Sequence, residues 1–499
     1  MRSGGPSAPS IAVGGDPGLE RRARPGRDAA AATTPTAGAT ECAVRPSIVP
    51  FALTMVIALA LSAWAWWRHD GQIGVVGWVT TVLWTIPLSS SLIGLMGCRH
   101  TRRLLRGADA TPVAPVEDEL LLVVVPTIGR LDTYPALERV VASYCEHLPS
   151  AFRRLRVDIV IEENCPARDA IVALAGPLVR VVIVPATYVT PAGTRFKARA
   201  NHFANEVRIA EGEARDDVWV LHMDDDTGVG PDTATELARF VHAQRGRSDP
   251  LHLGQGVLTF PREHATRGLI WLADAIRPAQ DLSLFAVTTG RGTPHAGLHG
   301  ELLLVRACVE ADIGWDFGPR AVVEDSQFAL HFVRRHPGRS GWFPGRSFGA
   351  TPASFNDFLR QRERWAWGLL ELAADGRIPL RNRILLIHNM IVWSCGPLQH
   401  IGVVVVAGGL LGEFDTFPAV AALLPLWAIN ISFQVWTYWV GLTLNVRSSG
   451  LRRARFRDRV AVVVLIPVFS LWETAGFLRG LVRFVRHGES AFAVIAKPL

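Results

Sequence analysis

Long apolar runs stand near both ends of this chain, and a stretch that alternates short apolar runs with helical spacings lies between them. The first run, 48–67, is separated by Arg68-His69-Asp70-Gly71 from a second, 73–97. Each is of the ~20-residue length that a helix needs to cross ~30 Å of hydrocarbon, so a transmembrane hairpin is expected over 47–97. Cys98-Arg99-His100-Thr101-Arg102-Arg103-Leu104-Leu105-Arg106 follows directly, and Arg clustered at a membrane exit place that end in the cytoplasm. The runs 384–411, 417–444 and 460–478 predict a C-terminal membrane region, 368–499, with two or three transmembrane helices. The Arg-rich loop 447–459 belongs on the cytoplasmic side. Glu473 interrupts the last run, which therefore either spans or lies along the interface.

Between these blocks, runs rich in Val and Ile appear at 120–125, 157–161, 179–184, 218–223 and 251–260. Helical spacing fills 134–147, 168–175, 195–210 and 233–245. Short β-branched runs alternating with helices predict an α/β domain over 98–367, with a mostly parallel sheet covered on both faces. Ligands in such sheets collect beyond the carboxyl ends of the strands. Residues 1–46, rich in Gly, Pro, Ala and Arg and without apolar period, are expected to be a disordered tail.

Composition changes this picture little. Among 499 residues 49% are hydrophobic, mean hydropathy is +0.21, and the net charge is +7. Basic clusters beside apolar blocks report membrane orientation, so no nucleic-acid partner is expected. The cysteines Cys42, Cys98, Cys145, Cys165, Cys308 and Cys395 show no CxxC, which supports neither a disulfide scaffold nor a zinc ribbon.

Three segments carry candidate chemistry. The run 218–223 ends in Asp224-Asp225-Asp226-Thr227-Gly228. Repulsion makes such a triplet costly unless a hard cation neutralises it; Asp224 and Asp226, two apart, suit one Mg²⁺ or Mn²⁺ and a bound diphosphate. A metal-dependent phosphatase also begins strand-Asp-x-Asp, but expects Thr where Gly228 stands. Glu324-Asp325 opens a segment whose Phe328, Leu330 and Phe332 look buried; acids there can also be plain helix caps. Gln361-Arg362-Glu363-Arg364-Trp365 precedes the last membrane blocks, where Arg and Trp often serve as anchors.

Taken together, strand-DxD, Glu-Asp and QxxRW between membrane helices resemble the membrane-embedded family 2 glycosyltransferases, the superfamily of cellulose and hyaluronan synthases. Val124-Val125-Pro126-Thr127, Glu162-Glu163-Asn164, the segment from Phe196 through Lys197 to Asn201, and Leu298-His299-Gly300-Glu301 are similar to the egghead-type β-1,4-mannosyltransferases. The resemblance covers roughly 120–367 and implies a GT-A (Rossmann-like) catalytic domain flanked by transmembrane helices. It implies inverting transfer from a nucleotide-diphosphate sugar, with GDP-mannose one candidate donor, to a lipid-linked or glycan acceptor at the cytoplasmic face of the cell membrane.

By the same resemblance, Asp325 is the expected catalytic base and Glu324 its neighbour in catalysis. Glu163, Lys197, Asp224, Asp225 and Arg364 are expected at the donor, and His299, Gly300, Gln361 and Trp365 at the acceptor. The metal, Mg²⁺ or Mn²⁺, falls to Asp224 and Asp226. The alternatives are a processive polysaccharide synthase that extrudes its product, separated by product size, and an inactive membrane scaffold. The scaffold reading expects one of the three motifs to be missing, and none is.

Overall fold

The computed structural model describes residues 46–68, 84–107, 113–295, 297–400 and 424–486. The expected tail, the polar break with the first part of the second apolar run, 69–83, and the stretch 401–423, which takes in the end of the run 384–411, the loop after it and the start of the run 417–444, lie outside the described residues.

Eight strands form one sheet in the order β3-β2-β1-β4-β7-β6-β8-β5. They are β1 Val116–Thr127, β2 Phe152–Glu162, β3 Val179–Val184, β4 Val218–His222, β5 Gly228–Val229, β6 Leu253–Thr259, β7 Leu303–Arg306 and β8 Ser340–Phe348. Strands β3, β2, β1 and β4 run parallel, with Val123 opposite Val157 and Leu221. Period-two alternation sends β1 to two cores. Leu121, Val123 and Val125 pack with Leu137, Val140 and Tyr144 of α3, Tyr134–His147. Leu122 and Val124 pack on the other face with Phe203 and Ala204 of α4, Phe196–Ala210, and with Phe328 and Phe332 further along the chain. A strand buried on both faces must be apolar throughout, which is why its sequence reads as one run. α1, Val49–Arg68, and α2, Leu88–Gly107, precede the sheet; α5, Pro231–His242, follows β5.

The sheet is mixed rather than purely parallel. β7 inserts antiparallel between β4 and β6, with Val305 opposite both Val220 and Leu253. β8 pairs parallel with β6, and the register slips between Gln255 and Val257. Pro344 lies in the slipped part of β8; it cannot donate to a ladder, and the irregularity removes the need. Strand β5 is antiparallel to β8. The short Leu303–Arg306 and the Gly- and Pro-bearing Ser340–Phe348 offer no alternating pattern, so sequence reading passed over both.

After β7 come α6, Ala307–Ile313, and α7, Glu324–Arg335. The remaining helices are α8 Phe355–Ala374, α9 Leu380–Ser394, α10 Leu424–Ser448, α11 Phe456–Val464 and α12 Ile466–Val485. α8 and α12 touch nearly backbone to backbone. A Cβ on Gly476 would stand 2.4 Å from Cβ of Arg362, and one on Gly480 2.7 Å from Cβ of Ala366. Two glycines four apart make that approach possible. Among the described residues no single helix is long and apolar enough to cross a membrane; α11 and α12 together have the required length and composition but bend by 54° at their junction. Pro467, in the first turn of α12, lacks the amide that would continue the helix across that break.

Candidate functional site

Beyond the carboxyl ends of β1, β2 and β4 lies a cavity of about 610 Å³, which continues between the helices that follow the sheet. β4 ends at His222, and the chain turns through Asp224, Asp225 and Asp226, all of which line the cavity. Thr127, the last residue of β1, donates its Oγ1 hydrogen to Oδ2 of Asp225 at 2.6 Å. Thr227 donates to Glu301, another lining carboxylate, and Tyr144 donates to the Thr227 carbonyl. Burial, then the charges of Asp226, Asp224, Glu301 and Asp225, hold the Tyr144 phenol far above its ordinary value. That is the signature of a strongly negative pocket wall.

One cation answers this wall from α4. Lys197, the lone lysine between residues 1 and 496, contacts Asp224, donates to the Gly300 carbonyl at 3.0 Å, and stands 3.8 Å from Oε1 of Glu324. A Cβ on Gly300 would meet Lys197 Nζ at 2.8 Å, so only glycine leaves the ammonium its place. Burial works against the charged ammonium, but Asp224 and Glu324 outweigh it and hold its pKa above the ordinary lysine value. Two non-glycine residues with positive φ flank this contact: Phe196, at +58°, precedes Lys197, and Leu302, at +50°, follows Glu301. Each left-handed bulky residue costs on the order of 1–3 kcal/mol, and such strain gathers at sites that the surrounding fold over-determines.

Glu324 and Asp325 open α7 and line the same cavity, with Oδ1 of Asp325 accepting from the Ser326 amide at 2.7 Å. Burial raises both carboxyls above their usual range; Lys197 opposes this for each, while the Asp325 charge pushes Glu324 further up.

On α8, Gln361, Arg364 and Trp365 fall at i, i+3 and i+4 and so share the face that lines the cavity. Arg362 points elsewhere. Fully buried, it contacts Asp274 and pairs with Glu473 of α12 at 3.0 Å. Trp365 is not an open ring: the guanidinium of Arg277 lies over it, 4.1 Å from its centroid. His299 is anchored through Nε2 to Asp281 at 2.6 Å and through its amide to Gln255 at 3.0 Å, while lining the cavity. Burial disfavours its charged form, but Asp281 overcomes that and raises its pKa.

One expected residue lies elsewhere. Glu163 is not among the residues that line the cavity; its Oε2 accepts from the Ala186 amide at 2.8 Å, beyond β3. Its neighbour Glu162, the last residue of β2, lines the cavity and pairs with Arg199. Successive residues at a strand end aim to opposite sides, so a shift by one exchanges the two acids. Sequence reading also missed Glu301, Thr127 and Arg277 as lining residues. Glu301 stood within a quoted motif, whereas Arg277 lies in a short helical segment, Ile276–Gln280, with no motif around it.

Among the described residues no three His, Cys, Asp or Glu side chains converge as a ready metal cage. The chemistry of the wall nonetheless suits a hard divalent cation: its carboxylates are oxygen donors, and Mg²⁺ commonly takes one or two of them and fills its shell with phosphate and water.

Residues 219–444 match the glycosyl transferase family group 2. The chain is 25% identical over 306 residues to beta-1,4-mannosyltransferase bre-3 of Caenorhabditis elegans, covering 61% of this chain and 65% of that one. It is 26% identical over 308 residues to beta-1,4-mannosyltransferase egh of Drosophila melanogaster, covering 61% and 64%. The alignments thus span a little under two thirds of these relatives. A mannosyltransferase, PcManGT from Pyrobaculum calidifontis in complex with GDP-Man and Mn²⁺, is similar with a TM-score of 0.44 and 17% identity, covering 86% of this chain and 99% of that one. The resemblance read from the motifs is borne out at the level of the family and of mannosyltransferase relatives.

Proposed function

We propose that the family 2 glycosyltransferase domain carried by residues 219–444, completed by the strands before it, transfers a sugar from a nucleotide-diphosphate donor to a lipid-linked or glycan acceptor with inversion at the anomeric carbon. Mannose is the sugar that the names of its relatives suggest, and GDP-mannose is the donor the reading takes. The observation that carries this reading is the single cavity that joins the aspartate triplet, Lys197, Glu324, Asp325 and the Gln361–Arg364–Trp365 face.

Asp224 and Asp226 would hold Mg²⁺ or Mn²⁺, which when bound supplies positive charge for the leaving diphosphate. Lys197 orients that end of the site, and Arg364 offers a bidentate fork for phosphate oxygens. Asp325 accepts the proton of the acceptor hydroxyl as its oxygen attacks the anomeric carbon from the side opposite the diphosphate. The bond to the diphosphate breaks with its electron pair staying on the phosphate. Burial raises the proton affinity of Asp325, which strengthens it as a base. Glu324 keeps Lys197 in register between the two acid groups.

Arg99, Arg102, Arg103 and Arg106 on α2 and the bent α11–α12 pair support a position at the cytoplasmic membrane face. The deciding experiment incubates membranes containing the protein with a panel of labelled nucleotide sugars and identifies the product. Label should pass from GDP-mannose to a single-addition product, and excess EDTA or Asp226→Ala should abolish it. No transfer from any donor would sink the reading, and a long polymer would favour a processive synthase.

A further inference from the structure

Among the described residues no carboxylate forms an ion pair with Arg277. Its side chain lines the cavity, its Nε is sealed from solvent without a hydrogen-bond partner, and its guanidinium rests over Trp365. The three carboxylates whose charge reaches it are all committed elsewhere. Asp274 contacts Arg362; Glu473 takes Arg362 at 3.0 Å and the Trp393 indole at 2.9 Å; Asp281 takes His299 at 2.6 Å and the Leu258 amide at 2.8 Å. Burial, followed by the Arg362 charge, depresses Arg277 in spite of those three acids. A cation stripped of water without a contacting acid is costly, and a bound anion removes the cost.

The backbone beneath it is fixed. A Cβ on Gly441 of α10 would lie 1.6 Å from the Ala275 carbonyl, so the segment Ile276–Gln280 is clamped directly on that helix. A clamped guanidinium stacked on an indole is preorganised for a forked oxyanion.

Its contacts set it apart from the donor end. The guanidinium rests over Trp365, the residue expected at the acceptor, 4.1 Å from the ring centroid, whereas the cation in contact with Asp224 of the triplet is Lys197.

We propose that Arg277 is the anion receptor of the acceptor subsite and binds a phosphate monoester carried by the molecule that receives the sugar. The proposal rests on the functional reading above only in naming that molecule the acceptor; the anion site itself stands on the geometry.

The test uses the full-length protein in detergent and three probes: decyl phosphate, neutral decanol and inorganic phosphate. Decyl phosphate should bind saturably and decanol should not compete. Arg277→Gln should weaken decyl phosphate by tenfold or more, about 1.4 kcal/mol, while GDP-mannose binds as before. Inorganic phosphate competing as well as decyl phosphate assigns a free phosphate; weaker competition assigns a lipid headgroup. Should Arg277→Gln fail to fold, Arg277→Lys, which keeps the charge but loses the fork, must still weaken decyl phosphate with GDP-mannose unchanged. Undiminished decyl phosphate binding in the folded variant, or a loss confined to GDP-mannose, overturns the proposal. Failure of the wild-type protein to bind any nucleotide sugar would instead count against the functional reading.

Discussion

Two buried glutamates, on successive helices after β7, have opposite fates. Glu310 of α6 pairs with Arg208 at 2.7 Å and receives hydrogen bonds from the Trp315 indole at 2.7 Å and the His222 ring at 3.0 Å. Burial pushes its pKa upward, but Arg208 and the two donors outweigh it and pull the carboxyl down to about 2. Burial lowers His222, so at neutral pH it acts as a neutral donor, and Arg208 supplies the charge that matters. Glu324 of α7 is also buried, yet its ion-pair partner among the described residues is Lys197 at 3.8 Å, already in contact with Asp224 and Gly300. Its carboxyl is raised instead. His222 sits just two residues before Asp224, so the paired cluster braces the end of β4 while the underserved one faces the cavity. A fully satisfied acid serves the fold; an acid left short of partners is available for chemistry.

The largest effect expected from this contrast is on stability. Glu310→Gln leaves Arg208 buried without its counter-charge and should cost about 3–5 kcal/mol, read as a lowered Tm. The sign with pH follows from the depressed pKa: the stabilisation is complete above the ordinary glutamate value and is lost only as pH falls through about 2. The difference in Tm between wild type and Glu310→Gln should therefore be flat between roughly pH 5.5 and 8. A Tm difference that varies strongly there breaks the comparison.

Next in size, Asp325→Asn should lower turnover by a factor on the order of 10² or more while leaving nucleotide-sugar affinity and Tm near wild type. Near-normal turnover, or donor binding lost in proportion, sinks the assignment of the base. A smaller effect concerns pH. A raised carboxyl is ionised only above its shifted pKa, so turnover should fall on the acid side of a limb lying above the usual carboxylate range. Lys197→Met removes the charge that opposes the rise, and should move that limb to higher pH on top of a lower maximum. A limb that stays in place refutes the coupling. The smallest change is expected from Glu324→Gln, which relieves a buried acid the fold disfavours: a modest rise in Tm with a milder loss of turnover than Asp325→Asn. A fall in Tm like that of Glu310→Gln would show that the two glutamates do not differ as described.

Much of the candidate site was legible in the sequence. The Asp224–Asp226 triplet after an apolar run, the Glu324–Asp325 pair, and the QxxRW spacing were readable because strand ends, helix starts and i, i+3, i+4 faces are local patterns. Glu163 was expected at the donor, but it is its neighbour Glu162 that lines the cavity, because successive residues at a strand end face opposite sides. Arg277 and Glu310 were not legible, since neither sits in a motif and each draws its meaning from partners far along the chain.

The sequence by itself determined the α/β core, since β1 must be apolar on both faces to sit mid-sheet, and it determined the residue types of the site. Tertiary structure decided which strands entered the sheet antiparallel, because Leu303–Arg306 is too short to announce a direction and finds its place only between β4 and β6. It decided, too, which buried charges are satisfied. Ionisation inside a protein depends on distances to partners across the fold, such as Arg208 to Glu310 or Lys197 to Glu324, and no local pattern carries those distances.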